Sequence, residues 1–492
     1  MLIRLLLTAW LCAIAAPGQA ADVQQDQPKA EAAKPGKKAK PKDQSQPKDP
    51  AKPKKQKTPK SNVPAPDEPF NPDEPIDQNP AEPGGSGRGW RFSWKQHPSV
   101  RYGSVFRLDG QAKFQEDAHS TYEGAVDVPE WELHRNRFGI SGYLTKKIEY
   151  EVERELTEKE LTDKDILAGV TPASHWKDVN VNLTFVKNAQ VQVGKFKVPF
   201  GLDQLTGVTH NDFIYRSLGA NYLAPARDIG AMVHGRFFKR GLNYWTGVFQ
   251  HDGDNARSKK IQGGDQTFAA RVTGTPFRKI ASGSIAAIEI GSSFAISKLS
   301  DDSFRPNGLR GRTVVSQDTF AEPVYVKGHR RRWEADADWA SGPFAARTEY
   351  TWVSDDRNGQ GLGDENLPDA RARSWYVSGV WVVTAENKIR PLKPATEFLQ
   401  GGWGAVEVVG RMERLWYDSV GPSTGLAFRN PRAETILPTG DRVVTVGANW
   451  ILNRFTKLQF NVIREHLEDP DRNPVTNGSA LWSRIVRLQF VL

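Results

Sequence analysis

Period-two alternation, sustained over most of the chain and nowhere replaced by a long apolar run, is the feature that most constrains this sequence. The cleanest case is Phe106 to Gln115. Phe106, Leu108, Gly110, Ala112 and Phe114 fall on one face, and Arg107, Asp109, Gln111, Lys113 and Gln115 on the other, because successive strand side chains point to opposite faces. One face suits lipid and the other water. The segment Trp131 to Leu144 repeats the pattern, with Phe138, Ile140 and Leu144 opposed to Arg135, Arg137 and Ser141. A chain that crosses a bilayer without an apolar helix must do so as a closed barrel, since no backbone group can be left unpaired in lipid. A secreted β-sandwich or β-solenoid would share the composition.

The rhythm of the links separates these readings. Strands are predicted at 106–115, 131–144, 147–155, 179–185, 189–197, 228–238, 241–251, 266–275, 284–297, 328–340, 343–353, 372–385, 401–417, 440–452, 456–467 and 480–492. The expectation is an all-β transmembrane antiparallel barrel of about 16 strands. Long links (116–130, 157–176, 201–227, 251–265, 298–327) alternate with short ones such as Thr145-Lys146, Lys187-Asn188 and Ser341-Gly342. The stretch 386–400 is the one link of awkward, middle length. Barrels of the outer membrane have short periplasmic turns and long external loops, and an even strand count then puts both chain ends in the periplasm. Trp131, Trp176, Trp333, Trp339, Trp375, Trp381, Trp450 and Trp482 sit near strand ends, as aromatic girdles at the two membrane interfaces would require.

One link stands apart. Ala189 to Gly194 alternates, Pro199 and Gly201 stop it, and alternation resumes only at Ile229, Ala231 and Val233. A loop this long between neighbouring strands is usually functional. The stretch is expected to fold into the bore and narrow it.

The N-terminus sets the compartment. Arg4 precedes an apolar run from Leu5 to Ala16, too short to span a bilayer. Small residues follow at 17–21, so residues 1–20 read as a secretory signal peptide cleaved after Ala20. Cys12 is the only cysteine and lies in that run behind Leu11, a poor residue for lipidation. The mature chain thus has no disulfide and no thiolate ligand. Residues 21–88 read as a disordered tail. Lys29 to Lys60 holds twelve lysines against three acids, and Asn62 to Arg88 is acidic and Pro-rich. Such a segment buries too little apolar surface to fold, and its prolines make it an extended spacer. Contact of residues 29–60 with peptidoglycan or a membrane surface is one reading, and a plain solvated spacer is the other. The basic tail lacks interleaved aromatics, which argues against nucleic acid. Residues 89–492 carry the barrel.

Several motifs resemble the phosphate-selective porin O and P family. They are Arg135-Asn136-Arg137-Phe138-Gly139-Ile140-Ser141-Gly142, the run Val193-Gly194-Lys195-Phe196-Lys197-Val198-Pro199-Phe200-Gly201-Leu202, Ser374-Trp375-Tyr376-Val377-Ser378-Gly379, Gly401-Gly402-Trp403-Gly404-Ala405-Val406-Glu407, and Val446 to Asn453. The resemblance implies a sixteen-stranded homotrimeric channel in outer-membrane lipid, often anion-selective, with arginines lining the bore. Two departures stand out: the chain ends in Leu492 where the family ends in Phe, and the charged tail is an addition.

Inward parity yields the candidates for pore-lining and anion binding. They are Arg107, Lys113, Arg135, Arg137, Arg236, Arg271, Arg347 and Arg411, joined by Arg216 and Arg227 if the long loop folds inward; Arg487 shares the parity. Arginine rings favour anions, and the planar fork of arginine suits phosphate oxygens. Glu149, Glu151, Glu153, Glu334, Asp336, Asp338, Glu349 and Glu407 point the same way, so a neutral cross-strand network is the competing reading. Lys195 and Lys197 share the parity of lipid-facing Val191 and Val193. His210 and Asp212 lack a third ligand at metal spacing. No enzyme motif and no cofactor site is recognisable. The expected function is passive diffusion of small hydrophilic solutes, with phosphate and other small anions preferred. The alternatives are a weakly selective general porin and a barrel that tethers the membrane through its tail.

Overall fold

The computed structural model describes residues 89–94, 97–122, 130–157, 175–238, 241–253, 266–278, 280–281, 283–300, 306–388, 391–420, 436, 438–469 and 480–492. The segments read as signal peptide and tail, 1–20 and 21–88, lie outside these residues. Among the described residues no helix is long and apolar enough to cross a membrane, a statement that does not bear on strands.

Sixteen strands form one antiparallel barrel. The first eight are β3 (Phe106–Tyr122), β4 (Glu130–Leu144), β5 (Ile148–Glu155), β6 (Trp176–Leu183), β7 (Gln190–Lys197), β8 (Arg227–Phe237), β9 (Leu242–Phe249) and β10 (Thr267–Gly274). The second eight are β11 (Glu289–Leu299), β14 (Gly328–Ser341), β15 (Phe344–Arg357), β16 (Leu367–Val382), β17 (Ala405–Ser419), β18 (Thr439–Ile451), β19 (Thr456–Leu467) and β20 (Ala480–Val491). Each pairs with the next, and β20 closes the ring on β3 from Trp482↔Tyr122 to Val491↔Lys113. Leu492 completes the seam by exchanging backbone hydrogen bonds with Ala112. The terminal leucine is therefore seated in the ladder.

Alternation decides the two surfaces. Phe138, Val193, Val248, Val377 and Val446 stand exposed on the outside, while Gln115, Asp117, Glu334, Asn449 and Arg487 are buried inside. Most long links lie on one rim and most short ones on the other, but 275–288 and 383–404 are long links on the short-turn rim, and 123–129 and 358–366 are short ones on the other. Several boundaries differ from expectation. β3 continues to Tyr122 and shortens the first long link. β17 starts at Ala405 rather than at 401. The link 383–404 belongs to the short-turn rim and is the longest there.

The barrel does not begin at residue 89. β1 (Trp90–Trp94) and β2 (Pro98–Tyr102) form a hairpin outside the sixteen, and β2 pairs with β3 from Ser99↔Asp109 to Tyr102↔Phe106. It thereby covers the β3 edge where β20 stops. Trp90 packs on Tyr102 and Phe106, with ring centroids 5.1 and 5.9 Å away.

Two loops fold inward. The loop 198–226 carries α1 (Leu202–Leu205) and α2 (Leu218–Tyr222). The link 300–327 carries a small hairpin, β12 (Gly311–Arg312) and β13 (Thr319–Ala321). Ile214, Leu218 and Leu223 of the first loop and Val314, Val315 and Phe320 of the second share one apolar core with Val353, Leu415, Val443, Ile463, Leu481 and Ile485 of the inner wall. Burying each such side chain stabilises by about 1.5–3 kcal/mol. This water-facing wall therefore has an apolar half, and both loops are seated on it.

Candidate constriction and pore-lining site

The loop 198–226 is fixed to the wall by charged side chains that bond its backbone. Glu349 accepts from the Asp203 amide at 2.9 Å, and Glu413 from the Leu218 amide at 2.6 Å. Arg487 donates to the Ile214 carbonyl at 2.7 Å and Arg411 to the Tyr215 carbonyl at 3.0 Å. Asn449 donates to the Asp212 carbonyl, and Lys457 to the carbonyls of Thr209 and Asn211. Inside the loop, the Asp203 carboxylate accepts from the Ser217 amide, and Ser217 in turn caps α2. Gly201 turns the chain with φ +77°, where a Cβ would press on Glu349. Gly219 lets α2 approach the wall so closely that a Cβ would collide with Ser374 Oγ. A peptide segment inside a barrel needs its polar groups paired, and these wall residues do that.

The candidate cations divide by partner. Arg107 pairs with Asp109, and Lys113 with Glu153. Arg137 meets Glu155 at 2.6 Å and Glu153 at 3.0 Å. Arg227 meets Asp178 at 2.7 Å. Arg271 meets Asp336 at 2.7 Å and Glu334 at 3.0 Å. Arg347 meets Asp338 at 3.0 Å and also reaches Thr206 of the loop. Arg411 meets Glu413 and stacks over Phe213, and Arg487 meets Asp117 at 2.6 Å. Apart from Arg227 these side chains share the inward parity, yet a free ladder of guanidiniums is not what they form. Each is matched to a carboxylate, because unpaired charge in a partly dry interior is costly.

Three candidates are held differently. Arg135 donates to the Gln115 side chain and stands 3.9 Å from Glu155. Arg216 donates to the carbonyls of Asp203 and Thr206. Arg236 lies near the short-turn rim beside His234. Arg135 is within electrostatic reach of Arg137, Arg216 and Arg487. Arg216 and Arg227 do turn inward with the loop. Arg227 has the parity of outward Ile229, yet it is the first residue of β8 and its side chain turns to Asp178. Lys197 is likewise buried, its ammonium on the Leu205 carbonyl.

Sequence reading misses several site residues. Asp252, in the link after β9, is buried between Arg330 and Arg332 of β14. Burial pushes its carboxyl up, but the two guanidiniums outweigh this and hold it well below the usual carboxylate range. Tyr215 is buried beside Asp117, and both effects push its phenol up. Lys388, from the link 383–404 of the opposite rim, reaches Asp212 at 2.6 Å and Glu407 at 2.5 Å. Asp212 is thus a loop anchor, with its charge answered by a lysine. The β5–β8 wall differs again. Asn182 bonds Glu149, Gln190 and His234, and Gln192 bonds Asn180, in rows of amides that cross the strands.

Residues 106–491 match the model of a family described as phosphate-selective porin O and P. No curated protein matches the chain. Among solved structures, the trimer form of OmpT from Vibrio cholerae is 9% identical over 79% of this chain and 100% of that one, with a TM-score of 0.48. An anion-selective porin from Comamonas acidovorans is 13% identical over 78% and 99%, with a TM-score of 0.45. The outer membrane channel DcaP of Acinetobacter baumannii is 9% identical over 80% and 99%, with a TM-score of 0.46.

Proposed function

Since the chain belongs to the phosphate-selective porin O and P family, and is therefore an outer-membrane channel, we propose that it passes small hydrophilic solutes with a modest preference for anions, phosphate included. The observation that carries this is the cluster around Arg135. Lys113, Arg135, Arg137, Arg216 and Arg487 converge there, and their carboxylate partners are Asp117, Glu153 and Glu155. The surplus is positive, and it lies where the inward loop meets the β3–β4 wall. An anion passing this point exchanges water for guanidinium donors that outnumber the carboxylates beside them. The preference is modest because most inward arginines are already neutralised; the same pairing favours a weakly selective general porin as the second reading. The long loops face the cell exterior, the tail 21–88 lies in the periplasm, and three copies assemble as the family resemblance implies.

The test is single-channel recording in chloride with phosphate added. Phosphate should depress the chloride current saturably in the wild type, and Arg135→Ala should remove that depression. Equal currents with and without phosphate in both proteins would leave the general-porin reading.

A further inference from the structure

The outer surface carries a second set of arginines with no role in the bore. On β16–β20 the lipid-facing side is apolar at mid-height, with Val377, Met412, Val444 and Val446 exposed. Toward the long-loop rim this surface changes abruptly. Outward positions become Arg371 and Arg373 on β16, Arg414, Trp416 and Asp418 on β17, Arg442 on β18, Arg464 on β19 and Trp482 on β20, as their pairing with one another across the strands requires. Such tryptophans mark headgroup depth.

The arginines form two trios of one design. Asp418 accepts from Arg371 at 2.7 Å and also from Arg373. Glu468 accepts from Arg414 at 2.7 Å and from Arg442 at 2.6 Å. Each carboxylate is shared by two guanidiniums, so each trio keeps a positive charge. Trp416 lies between the trios, with Arg373 5.0 Å and Arg414 4.6 Å from its ring, and Arg464 lies 5.4 Å over Trp482. Stacking and shared carboxylates hold the forks in place without neutralising them. The Arg442 side chain is 60% exposed and those of Arg371 and Arg414 30%.

We propose that this belt binds the phosphorylated headgroups of the outer-leaflet glycolipid, each trio offering a preformed guanidinium fork to a phosphate. Fixed arginines at headgroup depth are matched to phosphate oxygens by geometry, and clustered basic residues at a membrane surface attract anionic lipid. The inference rests on the long loops facing outward. It is independent of conduction, since none of these side chains faces the bore.

The experiment measures retention of lipid A, and of the same lipid without its phosphates, by the purified full chain in detergent micelles. The variant carries Arg371→Gln and Arg442→Gln, which leaves each carboxylate one arginine and removes both surpluses. The wild type should retain the phosphorylated lipid preferentially, and the variant should lose about thirtyfold in affinity, with heat-modifiable migration and single-channel conductance unchanged. Inorganic phosphate should not compete at millimolar concentration. Equal retention of the dephosphorylated lipid, full retention by the variant, or displacement by inorganic phosphate would each overturn the proposal.

Discussion

The two halves of the inner wall solve different problems with similar residues. The β14–β20 half holds two loops. Its apolar positions, such as Leu415, Val443 and Ile485, pack against them, and its charged positions, such as Glu413 and Arg487, bond the backbone of 198–226. Among the described residues the β4–β8 half touches the loop at fewer points, such as Lys197 on the Leu205 carbonyl, and elsewhere its side chains bond one another in amide rows. The contrast teaches that an inward arginine in a barrel is not by itself a pore-lining charge. Where a loop must be seated, arginine and glutamate act as clamps, and what remains for the solute is the surplus.

Breaking clamps should therefore cost far more than trimming rows. Arg487→Ala strips Asp117 and the Ile214 carbonyl of their donor, and should cost ~4 kcal/mol, typical of a broken buried pair. Unfolding of the barrel from vesicles in urea measures it, and open-channel noise should rise as the loop loosens. An effect below that of a surface residue would erase the distinction between halves. Asp252→Asn leaves Arg330 and Arg332 with one fewer carboxylate and should cost ~3 kcal/mol. The Asp252 carboxyl is depressed in the folded state. Its contribution is thus complete above the ordinary carboxyl range and is lost as pH falls toward its folded value. Wild-type stability should drop on acidification by more than that of the variant, and parallel curves would contradict the buried pairing. Val443→Ala empties part of the shared loop–wall core and should cost ~2 kcal/mol, with a larger conductance if the loops shift. Gln192→Ala in the amide rows should cost at most ~1 kcal/mol; a loss as large as that of Arg487→Ala would mean that both halves are equally load-sharing.

Most of the wall was legible because alternation states it directly. Sixteen segments were predicted and sixteen are found, with boundaries shifted most at β3, β11 and β16. The hairpin β12–β13 was not legible, since two- and three-residue strands leave no period to detect. β1 does alternate, as Trp90, Phe92 and Trp94 show, but it follows directly on a Pro-rich acidic run and reads as part of it. At the site, parity told which side chains face inward and nothing about partners. It could not separate Arg411, which clamps the loop, from Arg135, which contributes to the surplus. Arg227 escaped parity altogether, because it opens β8 and its side chain turns to Asp178. Asp252 and Lys388 come from links, where no period applies, and only the fold brings them to the wall.

The central claim is that a positive surplus around Arg135 survives the pairing of the other inward charges. It is tested most directly by the zero-current potential of the purified protein in a planar bilayer across a potassium chloride gradient. The expected sign is that of chloride as the more permeant ion, with Arg135→Ala and Arg216→Ala together moving the potential toward zero. A potassium-selective sign in the wild type would contradict it, and would assign control of permeation to Glu149 and Glu151 on the β5 wall.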